Sequence, residues 1–144
     1  MNYDMEQCVL EHIFKDNFSQ VLLMQKNRPD WQKVKLNGIG GKIEKGEPHV
    51  EAMVREMFEE IGLERHIDEW QEVGEIKGED WITYVFTAIF RETNDAPFSK
   101  TDEEVNWYEV NNLRKIIISN LTWHIHIYID MIKNKSPKHF TARY

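Results

Sequence analysis

One cysteine, Cys8, is all the chain has, which excludes an intramolecular disulfide and any metal site built on several thiolates. Set in an apolar stretch, it reads as a small buried hydrophobe rather than a reactive thiol. Long apolar runs are missing as well. Stretches such as residues 116–118 and 85–86 fall far short of the roughly 20 residues a membrane-spanning helix needs. The opening residues, Met1 to Glu6, show neither the basic start nor the apolar stretch of a secretory signal. The expected compartment is therefore the cytoplasm, with no membrane partner. Excess positive charge is also lacking: the net charge is −7 and the pI about 5.4, which argues against a nucleic-acid partner. An acidic protein still binds a polyphosphate when divalent cations lie between the two.

Internal repeats, low-complexity tracts and Ser/Gly-rich linkers are absent, so residues 1–144 are expected to form one domain, long enough to bury one core. Hydrophobic residues make up 41% and charged residues 30%, the balance of a folded chain rather than a disordered one.

Residues 7–14 and 20–25 are apolar and joined by the turn-like Lys15, Asp16 and Asn17, which predicts two early strands. A polar loop follows over 27–36, with Pro29 inside and Lys26, Arg28, Lys33 and Lys35 along this stretch. Gly38, Ile39, Gly40 and Gly41 then mark a place where backbone can approach a ligand closely. Residues 48–61 read as a helix, with Pro48 suited to the first turn and Gly62 to the position past the end. Strands are expected at 69–76, 81–90 and 105–110. The strand at 81–90 is apolar on both faces (Ile82, Tyr84 and Phe86; Trp81, Val85 and Ile89), as a strand buried on both sides should be. A closing helix at 121–132 carries Leu121, Ile125, Tyr128, Ile129 and Ile132 at helical spacing. The basic tail 133–144 is expected to be partly ordered at best. Strands interleaved with two helices predict an α/β sandwich around a mixed sheet.

On the first helix, with Arg55 at zero, Glu59, Glu56 and Glu60 fall at about 40°, 100° and 140°. Met53, Met57, Val50, Ile61, Val54 and Phe58 occupy the complementary arc from about 160° to 300° and are expected to pack on the sheet. Glu56 and Glu60 are like charges at i and i+4, which repel by roughly 0.2–0.5 kcal/mol in an exposed helix. Such a cluster is either a solvated acidic face or a cation site.

The surrounding pattern decides between them. Gly41, Glu47, Arg55, Glu56, Met57, Glu59, Glu60, Gly62 and Leu63 stand at the spacings Gly-x5-Glu-x7-Arg-Glu-aliphatic-x-Glu-Glu-x-Gly-aliphatic. The match would arise by chance on the order of once in a billion start positions at average residue usage. This stretch resembles the Nudix box without departure, and the resemblance extends more loosely over residues 6–132.

The resemblance implies a Nudix α/β/α sandwich with a central mixed sheet and the box helix packed on it. It also implies hydrolysis of a nucleoside diphosphate linkage with Mg²⁺, for which Mn²⁺ can substitute. Little covalent help is available in such a reaction, so catalysis rests on positioning and charge neutralisation. By the same resemblance Glu56, Glu59, Glu60 and the Gly40 carbonyl are metal ligands, and one of the carboxylates orients the attacking water. Arg55 and Glu47 form an ion pair that positions the others, with Gly41 and Gly62 as structural supports. Nudix enzymes often add a carboxylate from a distant loop. Asp102, Glu103 and Glu104 are in the expected place, Glu103 being the first choice as catalytic group or metal ligand and Glu104 the second.

Substrate choice lies outside the box. The stretch from Leu36 to Lys42 resembles the matching segment of the MutT-like triphosphatases that act on oxidised purines, in which an Asn contacts the base. That implies base recognition by Asn37, and by Asn120 and Trp123 from the segment Ser119-Asn120-Leu121-Thr122-Trp123. Lys42 is placed to meet a phosphate. The alternatives are local: Asn37 as a turn residue, Asn120 as a helix N-cap, Trp123 as core, Lys42 as a solvated loop residue. Trp31 is a weaker candidate for stacking on a base. His124 and His126, two apart on a helix, point to different faces and do not pair as ligands.

The leading expectation is a (deoxy)nucleoside triphosphate pyrophosphatase, monomer or homodimer, with oxidised purines as candidate substrates. The alternative of the same class is an ADP-ribose or dinucleotide polyphosphate pyrophosphatase. A non-catalytic nucleotide sensor is disfavoured by the intact box, and a Ca²⁺-binding element by the absence of EF-hand spacing.

Overall fold

The computed structural model describes residues 5–15, 17–25, 27, 36–90, 101, 103–113, 121–134 and 139–143, the side chains of 121–123 excepted. Strands β1 (Glu6–Lys15) and β2 (Gln20–Gln25) form a hairpin in which Phe14 faces Val21 near the closed end. Toward its open end the hairpin splays, and the glycine-rich segment fills the gap. Within it β3 (Leu36–Asn37) bonds to β2, with Asn37 opposite Met24, while β4 (Ile39–Lys42) bonds to β1, with Gly40 opposite Leu10.

The other edge of β1 runs parallel to all of β6 (Trp81–Phe90), which pairs antiparallel with β5 (Gln71–Lys77). Strand β7 (Val105–Glu109) lies on the far edge of β2. Together they make a mixed sheet with β1 and β6 at its centre. Two boundaries differ from the sequence reading. Ile67–Glu69 is a short 3₁₀ turn ahead of β5, and Val110 leaves β7 to start another over Val110–Asn112.

The alternation of side chains along β1 sends residues to opposite faces. Val9 and Ile13 face α1 (His49–Ile61), meeting Ala52 and Met53 in one cluster and Met57 and Ile61 in another. Phe14 faces α2 (Leu121–Lys133), with Ile125, Tyr128 and Met131. Strand β6 divides likewise: Phe86 joins the α1 side and Val85 the α2 side. The architecture is the expected α/β/α sandwich. Among the described residues no helix is long and apolar enough to cross a membrane.

Pro48 stands just ahead of α1 with extended backbone, and its carbonyl accepts from Ala52 N at 3.0 Å. Gly62 ends the helix at φ 70°, a left-handed conformation natural to glycine, and its N–H donates to the Phe58 carbonyl. His49 stacks on Tyr84 at 3.8 Å and pairs with Glu72 through Nδ1 at 2.9 Å, pinning the start of α1 to the sheet.

The roll of α1 corrects the expected packing arc. Its buried residues are Ala52, Met53, Glu56, Met57 and Ile61. Glu56 is only 7% exposed, whereas Phe58, expected on the sheet, is 44% exposed. The helix is rolled toward β4 because Gly41 presents no side chain there, and the Glu56 carboxylate takes that space.

The tail, expected to be partly ordered at best, contributes one short strand. Residues Phe140–Arg143 form β8, parallel to β5 at the sheet edge. Gly74 lies opposite Phe140, and a Cβ there would overlap the ring. The ring instead crosses β5 and packs 5.6 Å from Tyr128. Two apolar residues, Phe140 and Ala142, are too few to signal a strand by alternation.

Candidate active site

The box assembles around one guanidinium. Arg55 meets Glu47 through two contacts, Nε to Oε2 and Nη2 to Oε1, each 2.9 Å. Its Nη1 donates to Glu56 Oε1 at 2.9 Å and to Glu59 Oε2 at 3.1 Å, and its Nη2 also donates to the Lys42 carbonyl at 3.0 Å. One side chain thus ties the loop after β4, the strand itself and two helix carboxylates together. The planar fork of arginine makes this possible, since its donors are fixed in one geometry. Hydrogen bonding from Arg55 holds the Glu47 carboxyl below its ordinary range, and Glu47 in turn raises the guanidinium. Glu56 moves the other way: burial raises its carboxyl, and Arg55 offsets only part of that.

Glycine makes the approach possible. A Cβ on Gly41 would overlap the Glu56 carboxylate, and one on Gly40 would overlap the Val9 carbonyl. Backbone and carboxylate therefore lie against each other with nothing between them.

Beneath this lies a residue the sequence reading passed over. Glu11 is 0% exposed, and neither carboxylate oxygen has a hydrogen-bond partner. Burial first, then the charges of Glu56 and Glu60, push its carboxyl well up. An ionised carboxylate so placed, with no donor, costs more than a domain's whole margin of stability. The site therefore requires a proton or a cation. The sequence signal was the interruption itself, since Glu11 and His12 break the apolar run of 7–14. His12 is also fully buried, on the α2 face 5.0 Å from Tyr128. Burial, then His124, lowers its imidazole to about 3, so it is neutral.

A divalent cation fits the donors present. Glu56, Glu59 and Glu60 supply hard oxygens, and Glu11 is an orphaned carboxylate in need of positive charge. Among the described residues no three Asp, Glu, His or Cys side chains already converge on one point. Arg55 draws Glu56 and Glu59 toward itself, so a cation competes with it for the same oxygens.

The other candidates are distributed around this centre. Glu103 is buried; its Oε2 accepts from Asn27 N at 2.6 Å, while Glu104 is exposed and its backbone carbonyl accepts from Gln25 N. Asn37 lies on β3, with Oδ1 accepting from Gly38 N at 2.8 Å. Lys42 is exposed at the end of β4, 3.5 Å from Glu6. Cys8 is half-buried rather than buried, its thiol 3.8 Å from Glu6 Oε1; burial and Glu6 push that thiol up to about 11, so it stays protonated. His124 is buried and His126 exposed on α2. Asn120, Asp102, Trp31, Lys26, Arg28, Lys33 and Lys35, and the side chain of Trp123, lie outside the described residues.

Comparison with known proteins agrees with this geometry. The NUDIX domain pattern matches residues 12–129. A MutT structure from work on Aliivibrio salmonicida and Vibrio cholerae superposes with a TM-score of 0.71 at 21% identity, covering 85% of this chain and 98% of that one. The mutator MutT protein of Bacillus halodurans gives 0.71 at 19% identity, covering 96% and 88%. In sequence, the mRNA-decapping enzyme subunit 2 of Saccharomyces cerevisiae is 27% identical over 119 residues, 78% of this chain. The chain spans 12% of the length of that relative. With the box assembled around Arg55 and the sandwich in place, the chain belongs to the Nudix family.

Proposed function

We propose that the chain hydrolyses a (deoxy)nucleoside triphosphate to the monophosphate and pyrophosphate, with Mg²⁺ held by Glu56, Glu59, Glu60 and the Gly40 carbonyl. The observation that carries this reading is the placement of the Glu56 carboxylate against side-chain-free Gly41. A phosphate chain laid along β4 meets carboxylates with no Cβ in the way. When bound, the cation neutralises phosphate oxygens and makes a water more acidic.

The chain's own residues do the positioning. Arg55, clamped by Glu47, aims Glu56 and Glu59 at the glycine strand. Glu59, 55% exposed, has room to turn toward an attacking water. Glu103 acts from the loop before β7, whose first residue Val105 pairs with Met24; Met24 pairs on its other side with Asn37. The bond from Gly38 N to Asn37 Oδ1 fixes that amide and leaves its NH₂ as the donor for a base. Lys42 meets the outer phosphates.

The test is product identity across a panel of normal and oxidised purine triphosphates, ADP-ribose and dinucleotide polyphosphates. Monophosphate plus pyrophosphate from triphosphates is expected, and Asn37→Ala should raise KM for the preferred base while leaving kcat nearly unchanged. Inert triphosphates alongside turnover of the diphosphate-linked compounds would sink the proposal. That second outcome has its own support in the likeness to an mRNA-decapping enzyme, whose name describes cleavage of a capped end. The net charge of −7 favours a small nucleotide over a long RNA.

A further inference from the structure

The sheet side of the box contains an acid that the Nudix motif does not specify. Along β1, Val9 packs with Ala52 and Met53 of α1, and Ile13 packs with Met57 and Ile61. Glu11 lies between Val9 and Ile13 on the same face of the strand. The side chains of α1 between those two apolar contacts are Glu56 and Glu60, and both raise the Glu11 carboxyl through their charge. Two residues on, the strand's hydrogen-bonding partner β4 sets Gly41 opposite Val9, against the Glu56 carboxylate. Apolar packing on both sides thus frames Glu11 on the strand side of the interface, within reach of the charges of Glu56 and Glu60 on the helix side.

Exposed acid clusters are common and prove nothing. Glu11 differs, because it is fully buried, both its oxygens lack a partner, and it faces the cluster rather than solvent. No donor from the described residues relieves it where it stands. An apolar residue here would pack with Val9 and Ile13 at no electrostatic cost. A carboxyl group here is tolerable only when protonated or with a cation beside it.

We propose that Glu11 is an inner metal ligand, closing from the sheet side a divalent-cation site whose outer ligands are Glu56 and Glu60. The proposal rests on the reading of the box as the metal site and adds a ligand to it. A cation seated there would draw the Glu56 and Glu60 carboxylates toward Glu11. Oxygen donors of this kind suit Mg²⁺ or Mn²⁺.

The test uses the full chain, with Mn²⁺ as the probe, comparing wild type with Glu11→Gln. Titration calorimetry and Mn²⁺ electron paramagnetic resonance give affinity and stoichiometry. Thermal melts in chelator and in Mn²⁺ give the metal-induced rise in Tm. Glu11→Gln should weaken Mn²⁺ binding at one site by about tenfold or more. It should also leave the Tm in chelator unchanged or higher, and shrink the Mn²⁺-induced rise. Equal affinity and an equal rise in both proteins would overturn the proposal while the box reading stands. A wild-type chain that binds no Mn²⁺ would overturn both. If the variant does not fold, ¹³C-labelled wild type decides: the Glu11 carboxyl resonance must shift on titration with Mg²⁺, and an unmoved resonance defeats the assignment.

Discussion

The Glu56 carboxylate occupies the volume that a side chain on Gly41 would fill. Helix and strand are therefore closer at the box than two ordinary residues allow. Gly41→Ala forces the carboxylate or the strand to move. The expected cost is about 1–3 kcal/mol of stability, with turnover down about 100-fold, or ~2.7 kcal/mol in the barrier. Denaturant melts and pyrophosphate release measure the two. A variant as active as wild type would show that the close approach is irrelevant.

Glu47 and Arg55 make a testable contribution to acid stability. The folded carboxyl of Glu47 lies below its ordinary value of 4.5, mainly through the hydrogen bonds from Arg55. In the window from 4.5 downward the unfolded chain binds the proton first. The stabilisation is therefore complete above 4.5 and is lost as pH falls through the folded value. Glu47→Gln should lose about 1 kcal/mol at neutral pH, after solvent screening. Its deficit should shrink on acidification, and urea melts across the acid range follow it.

Two carboxylates should separate chemistry from anchoring. Glu59 is exposed and meets Arg55 at 3.1 Å, so Glu59→Gln should stay within about 0.5 kcal/mol of wild-type stability while turnover falls about 100-fold. Glu103 is buried and accepts from Asn27 N at 2.6 Å. The oxygen kept in Glu103→Gln can still accept that bond, so a fall beyond about tenfold, ~1.4 kcal/mol, is expected from lost chemistry. A smaller fall with a lowered Tm would make Glu103 an anchor for the Asn27 segment instead.

At the opposite edge, Gly74→Ala should displace the Phe140 ring and loosen β8 from β5. About 1–3 kcal/mol should be lost with kcat unchanged, because β5 and β6 separate β8 from β1. Chemical denaturation alongside steady-state kinetics distinguishes this from a site effect.

Much of this fold was legible residue by residue. Apolar stretches bounded by turn residues marked the long strands within a residue or two, and Pro48 and Gly62 bracketed α1, because backbone preference acts locally. The box was legible because phosphate chemistry needs acids, arginine and glycine at set spacings along one chain. The resemblance implied the pairing of Arg55 with Glu47; its bidentate form came from the structure. Other features were not legible. Helical periodicity defines an arc of apolar residues but not how far the helix rolls, so Phe58 was expected inside and Glu56 outside. The roll depends on Gly41, distant in sequence and empty of side chain.

Glu11 reads as a mere flaw in an apolar strand until β1 is set beneath α1. Phe140 finds its place only because Gly74 leaves room for it. The sequence by itself determined most of the elements and the family, since these rest on local preference and fixed spacing. Tertiary structure alone decided which carboxylates share a buried space, because burial and unpaired charge are properties of packing and not of order along the chain.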